Sequence, residues 1–195
     1  MPHTTPRINQ GAVAGFTLIE LLLVVTCLSI ALGLSAAPFA ARLAEIRSES
    51  AMLFLANLIN LSRQEAILRG RPVTLCALDT DSRCHREWTN SHRVAVFIDT
   101  NRDRRLGPAE PLIREARWPM TQGELLWRAS LARPYIEFEQ TGATWQNGTL
   151  VYCPASRDAR QARALVLSHS GRAYLPGDSN GDGIREDRSG KNLRC

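Results

Sequence analysis

The sequence predicts an α+β protein: one long N-terminal helix, membrane-spanning in its first half, packed on an antiparallel β-sheet head. Three observations carry this. Apolar residues are concentrated in a single run, Phe16 to Pro38. The next stretch, Phe39 to Arg69, contains no Gly or Pro and is rich in Ala, Leu, Glu and Arg. From Pro72 onward the chain breaks into short β-rich runs bounded by turn residues.

The rest of the composition is compatible with that reading and narrows it. With 195 residues, 44% apolar and 22% charged, the chain is not wholly disordered and suits one modest domain plus an extra element. The net charge is +5, and every basic residue except Lys191 is arginine. Mild basicity permits nucleic acid or anionic lipid as a partner but requires neither. No internal repeat is visible.

Residues 1–15 form a short segment with one cation, Arg7, and no acid. The apolar run that follows exceeds the roughly 20 residues a spanning helix needs. It is too long for the core of a conventional signal peptide. Glu20 sits five residues into it. A carboxylate at the centre of a membrane helix costs about 2.5–3.5 kcal/mol, less near the interface, so Glu20 implies a partner. A free α-amine, created by cleavage between Gly15 and Phe16 and presented by an adjacent helix, would supply one. Pro38 lacks an N–H and is expected to kink or briefly break the helix. Beyond it Leu43, Ile46, Met52, Leu53, Leu55 and Ile59 recur at helical spacing. The helix therefore runs from Phe16 to about Arg69 and ends at Gly70 and Pro72. Strands are expected at 72–78, 93–99, 111–116, 134–139, 149–153, 164–168 and 172–175. Asn147-Gly148 is a hairpin turn signal.

The block Gly15-Phe16-Thr17-Leu18-Ile19-Glu20-Leu21-Leu22 resembles the processing motif of type IV prepilins and type II secretion pseudopilins. The resemblance implies cleavage after Gly15 by a prepilin peptidase and N-methylation of Phe16. It implies that Glu20 supports assembly by pairing with a neighbouring subunit's N-terminus. A proline near position 38 is similar to that of pilin-like helices. Later residues are similar to the GspH/FimT group of minor pilins and pseudopilins. They are Leu75-Cys76-Ala77, Cys84, Trp88, Val94 to Asp99 with Asn101 and Asp103, and Ser168-His169-Ser170-Gly171-Arg172. The organisation implied is a leader at 1–15, a membrane and assembly half-helix at 16–38, and a pilin-like periplasmic head at 39–195. The protein would be a single-pass inner-membrane subunit, assembled with other pilins or pseudopilins near a filament tip and priming assembly. A type IV pilus and a type II secretion pseudopilus both fit.

Of five cysteines, Cys27 lies in the apolar run and acts as a small apolar residue. The other four fall where disulfides persist. Cys76 and Cys84 are close in sequence and are paired here, leaving Cys153 for Cys195. A zinc site of Cys76, Cys84, His85 and His92 fits no finger spacing.

Two segments alternate oxygen ligands in the manner of a calcium loop. Asp99, Asn101, Asp103 and Glu110 fall at loop positions 1, 3, 5 and 12, but Arg104 replaces the glycine of position 6, favouring a solvated hairpin loop. Asp178, Asn180 and Asp182, with Gly183 and then Asp187, form the cleaner pattern but lack the acid at position 12. Calcium there and a polar, turn-rich tail are both open readings, and no other cofactor is implied. No HExxH, G-x-S-x-G, P-loop or G-x-G-x-x-G occurs, so no enzyme is expected. A second function is DNA binding during uptake, which the FimT resemblance implies. Arg172, Arg185, Arg188, Lys191 and Arg194 would contact phosphates, although Tyr174 stands where such relatives carry a second arginine.

Overall fold

A computed structural model describes residues 15–86, 88, 93–117, 123–131 and 133–195, with the side chains of 35–38 and 41 outside the description. The chain divides into two units, Met1–Ala40 and Ala41–Cys195.

Helix α1, Leu18–Arg69, crosses the boundary between the units without interruption. Of the kink or brief break expected at Pro38, the break does not occur; one missing N–H is a local loss that the flanking turns carry. Ala and Leu, strong helix formers, are its commonest residues. The helix stops where Gly70 turns into the left-handed region, φ 60°. Its end is closed by the Arg71 N–H, which donates to the Ala66 carbonyl at 3.3 Å. In the first unit the large apolar side chains from Phe16 to Leu34 are exposed. Among the described residues, no helix is long and apolar enough to cross a membrane.

The second unit holds two antiparallel sheets rather than the single sheet expected. The first is built from β1 (Val73–Leu78), β2 (Cys84–His85), β3 (Arg93–Phe97), β4 (Leu112–Arg117) and β6 (Tyr135–Phe138). β1 is its centre, pairing β3 on one side and β2 and β6 on the other, with β4 beyond β3. The second runs β5 (Glu124–Ala129), β7 (Gly148–Cys153), β8 (Arg163–Leu167) and β9 (Ala173–Tyr174). β2 and β5 have no counterpart among the expected strands.

One core joins the helix to both sheets. Ala51, Met52, Leu55, Leu58, Ile59 and Ala66 of α1 pack with Leu75 and Ala77 of β1, Val94 and Val96 of β3, Leu150 of β7 and Leu165 of β8. Ile46 and Leu53, expected on the buried face, are instead exposed. Two serines take places in the buried stripe. Ser48 and Ser62 are fully buried, and each hydroxyl donates to the carbonyl four residues earlier, Ala44 and Leu58. That bond satisfies the polar atom inside the core.

Each sheet also buries part of its far face. Behind the first sheet lie Cys76, Leu78, Ala95, Phe97 and Tyr135, packed with Cys84 and Leu106. Behind the second lie Val151, Cys153, Ala162, Ala164 and Leu193, packed with Ile184 and Cys195. A disulfide sits in each cluster. Cys76 bonds Cys84 across 8 residues, and Cys153 bonds Cys195 across 42. The longer staple holds the C-terminal tail over the second sheet. Closing a loop of that length restricts the unfolded chain by about 4 kcal/mol, against about 2.5 kcal/mol for the shorter one. Removing the long staple in a Cys153→Ser, Cys195→Ser double variant is expected to lower unfolding stability by about 3–4 kcal/mol. Denaturant melts of the non-reduced protein would measure it, and a loss below that of Cys76→Ser, Cys84→Ser would contradict the estimate.

Candidate functional site

The assembly segment is positioned by the start of α1. Gly15, Phe16 and Thr17 precede the first helical residue, Leu18, and residues 1–14 lie outside the described residues. Phe16 is 85% exposed. Thr17 caps the helix: its Oγ1 accepts the Glu20 N–H at 3.3 Å. Thr17-Leu18-Ile19-Glu20 is thus a capping-box sequence, with Thr at the cap and Glu three residues on. The ion-pair reading of Glu20 left out this local contribution, although the S/T-x-x-E spacing is present in the sequence. An acid in the first turn also complements the positive end of the helix dipole. Glu20 therefore stands at a helix-starting position.

Of the two oxygen-rich loops, the structure draws carboxylates together in the first. Ligand oxygens of Asp99, Asp103 and Glu110 lie within 4.8 Å of one another, and Asp99 is buried. The Asp103 N–H donates to Asp99 Oδ1 at 3.1 Å, and the Thr100 and Gly107 N–H groups donate to the two oxygens of Glu110 at 2.9 Å each. A cation is built into this loop. Arg104, at φ 63°, turns its guanidinium back so that Nη1 donates to Asp99 Oδ2 at 2.8 Å and also to Glu137 of β6. The guanidinium carbon stands 4.1 Å from the centre of the Tyr135 ring. Burial lowers the Arg104 pKa, but the carboxylates beside it more than compensate and hold it above its usual value. Breaking one member of a largely buried ion pair is strongly destabilising. Arg104→Met is expected to cost about 3 kcal/mol, since Asp99 and Glu137 then face each other uncompensated. An unfolding midpoint unchanged by this substitution would show that the two carboxylates do not depend on the guanidinium.

The C-terminal loop is organised differently. Asp178 accepts the Gly181 and Gly183 N–H groups, one on each oxygen, at 2.7 and 2.8 Å. Asp182 accepts the Ile184 N–H at 2.8 Å and the side chains of Asn180 and Asn192. These donors, the Ile184 N–H first, hold the Asp182 carboxyl below its ordinary pKa. Asp187 accepts from the Ser189 hydroxyl at 2.6 Å, from the Ser189 N–H and from the Lys191 N–H. Among the described residues the converging carboxylate group is Asp99, Asp103 and Glu110, not Asp178, Asp182 and Asp187. Glu186 is buried and receives the N–H groups of Ser179 and Asn180 and the Ser179 hydroxyl.

The basic residues are dispersed. Lys191 and Arg194 line an open cleft of about 540 Å³ with Arg128, Asp187 and Asn192. Arg128, on β5, was not anticipated. Arg172 is exposed in the turn before β9, and Arg188 is exposed in the tail. Arg185 donates to the Pro176 carbonyl at 3.3 Å. Among the described residues the buried cation of the head is Arg163 on β8. Its Nη2 donates to Glu45 of α1 at 2.6 Å, and Nη1 donates to the carbonyls of Arg160 and Ala162. Burial pulls its pKa down, with the nearby Arg185 charge acting in the same direction. Of the zinc reading, Cys76 and Cys84 are consumed in a disulfide, and His92 lies outside the described residues.

The model of the family described as Type II transport protein GspH matches residues 54–171. Among solved structures, the type IV minor pilin FimU of Pseudomonas aeruginosa (strain PAO1) is 18% identical, with a TM-score of 0.50, covering 67% of this chain and 89% of that one. A second crystal form of FimU gives 19% identity, a TM-score of 0.48 and coverage of 66% and 92%. The minor pseudopilin EpsH of the Vibrio cholerae Type 2 Secretion System gives 12% identity, a TM-score of 0.47 and coverage of 68% and 98%. No curated protein matches the sequence. The first of these structures shares the fold of the head, and the family model spans more than half of the sequence: the chain belongs to the GspH family.

Proposed function

We propose that the protein is a minor structural subunit of a type IV pilus or a type II secretion pseudopilus, sitting near the tip and priming assembly. The observation that carries this beyond family membership is the surface of the first unit. Leu18, Ile19, Leu21, Leu22 and Leu23 are all more than half exposed, and with the exposed Val24, Leu28 and Ile30 the apolar side chains go round the helix. A helix apolar all round is stable only when buried, in lipid or among other helices. In this reading residues 16–38 anchor the precursor in the inner membrane with the head in the periplasm. A prepilin peptidase cuts between Gly15 and Phe16 and the new N-terminus is methylated. The helix then passes from lipid into a bundle of like helices. The family supplies the partners, other pilins or pseudopilins, and no step requires an enzyme activity of this chain. A gene deletion tests the assignment, with surface pili, twitching and exported enzyme activity scored in one culture. Lost pili with normal export identifies a pilus subunit; lost export with normal pili identifies a pseudopilus subunit. No change in either would refute the structural role.

A second reading, DNA binding during uptake, is favoured by the cleft at Lys191 and Arg194. Arg128 adds a third cation there and Asp187 is the one acid lining it. Phosphate contacts of this kind weaken steeply with salt. Duplex mobility unaffected by the protein at low salt would dismiss this reading.

A further inference from the structure

The indole of Trp145 is 62% exposed, yet the residues on either side of it are buried, Thr144 at 0% and Gln146 at 3%. The loop is fixed by its own polar network. Gln146 Oε1 accepts the Glu137 N–H at 2.9 Å and the Thr144 hydroxyl at 3.1 Å, and the Gln146 N–H donates to Thr144 Oγ1 at 3.2 Å. The Ser130 hydroxyl holds the Trp145 carbonyl at 3.1 Å. The imidazole of His169 tilts against the indole, ring centres 4.7 Å apart. Trp145 is therefore held outward by a loop that is ordered without help from the indole itself.

The surface continues beside it. The Thr144 N–H donates to the His169 carbonyl at 2.9 Å, which ties the loop to the turn carrying Gly171. Gly171 lies directly on the Gly142 carbonyl. Arg63 of α1 borders both glycines and donates from Nε to the Ser170 carbonyl at 3.3 Å. Ile67, one helical turn on and 45% exposed, borders Gly142. Helix, loop and turn thus meet at the buried Gly142 and Gly171, and above them lie an outward indole, the exposed His169 and Ile67, and two arginines, the half-buried Arg63 and the exposed Arg172. Neither arginine makes an ion pair among the described residues.

We propose that this face docks the head of a neighbouring pilin-family subunit, which seats the Trp145 indole in an apolar pocket edged by carboxylates facing Arg63 and Arg172. The inference rests on the filament-subunit reading above. Three features select this occupant. Trp and Arg dominate the energetic centres of protein interfaces, and a pre-set side chain loses little freedom on docking. The uncompensated arginines call for acidic complements. Arg63 and Ile67 project from the same helix whose first part carries the assembly motif. Single-stranded nucleic acid would instead need a groove of cations that tracks its backbone. Here two arginines flank a glycine pair, and one side of the indole is already met by His169.

The test uses the full chain at its own locus in the native host, with a photoreactive benzoylphenylalanine at position 145 and, as control, at Arg102. The expected result is a covalent product at 145, absent at 102, in which mass spectrometry identifies another pilin-family subunit. The product should disappear in a Glu20→Ala background. Trp145→Ala should reduce filament incorporation by at least about tenfold with an unchanged melting temperature, while Trp145→Phe retains most of it. A protein incorporated normally but giving no subunit adduct, or giving adducts to DNA alone, would overturn this surface and leave the filament reading intact. A Glu20→Ala chain incorporated as well as the native one would overturn the filament reading itself.

Discussion

A Glu20→Ala chain is expected to be made, inserted and processed but to be absent from sheared filaments, as measured by immunoblot of the filament fraction against the membrane fraction. Two physical roles converge on this carboxylate, and they differ in size. As the third residue after the Thr17 cap, it stands at the position a capping box gives to Glu or Gln, a contribution to the helix start of about 1 kcal/mol at most. As a charge among apolar helices, it must be paired. Leaving a neighbour's α-amine buried and unpaired costs about 3–5 kcal/mol, a factor of about 150 to 5,000 in assembly. Glu20→Gln separates the roles, because glutamine serves at the third position of a capping box but carries no charge. Gln is expected to fail as completely as Ala. Assembly restored by Gln would assign Glu20 to helix capping and remove the ion-pair argument.

The long helix was legible because its signals are local: no Gly or Pro between Phe39 and Arg69, then Gly70 and Pro72 as stops. Its buried face was less so. Ile46 and Leu53 fit the apolar spacing but are exposed, while Ser48 and Ser62 lie inside. Hydroxyls bonded back to the preceding turn pass for small apolar groups in a core, which a hydrophobic count cannot register. Strand β5 escaped notice because Leu125, Leu126 and Trp127 run together without alternation. The far faces of both sheets are partly covered, so β1 and β8 are buried along their whole length. That covering comes from two loops and a tail held by disulfides, and it explains why an antiparallel strand here reads as a continuous apolar run. The candidate sites divided in the same way. The motif around Glu20 needs only adjacent residues, whereas Arg104 reaches Glu137 and Arg163 reaches Glu45, pairs far apart in sequence. The opposite charges were visible, but not that the fold would bring them together.

The most damaging single substitution in the head is expected to be Gly171→Ala. Gly171 has φ 75°, in the left-handed region that an L side chain adopts at a cost of about 1 kcal/mol or more. The larger obstacle is space. A Cβ at this position would come within 1.9 Å of the Gly142 carbonyl oxygen. That atom is backbone and cannot rotate away, so the turn or the loop must move. Gly142 is itself at φ 77° and bordered by Ile67 and Arg63. Moving either segment therefore strains the Thr144 to His169 bond and the seat of Arg63 on Ser170. A combined loss of at least about 3 kcal/mol follows, near the upper end for point substitutions. For a domain of this size that lowers the melting temperature by about 6–12 °C. Thermal unfolding by circular dichroism would register it, with Gly177→Ala, where a Cβ meets nothing within 4 Å, as the neutral control. Equal melting temperatures for the two variants would mean that the approach of the turn to the loop is not held as the structure has it. The face around Trp145 depends on the same approach, so Gly171→Ala should also displace the surface on which docking is proposed.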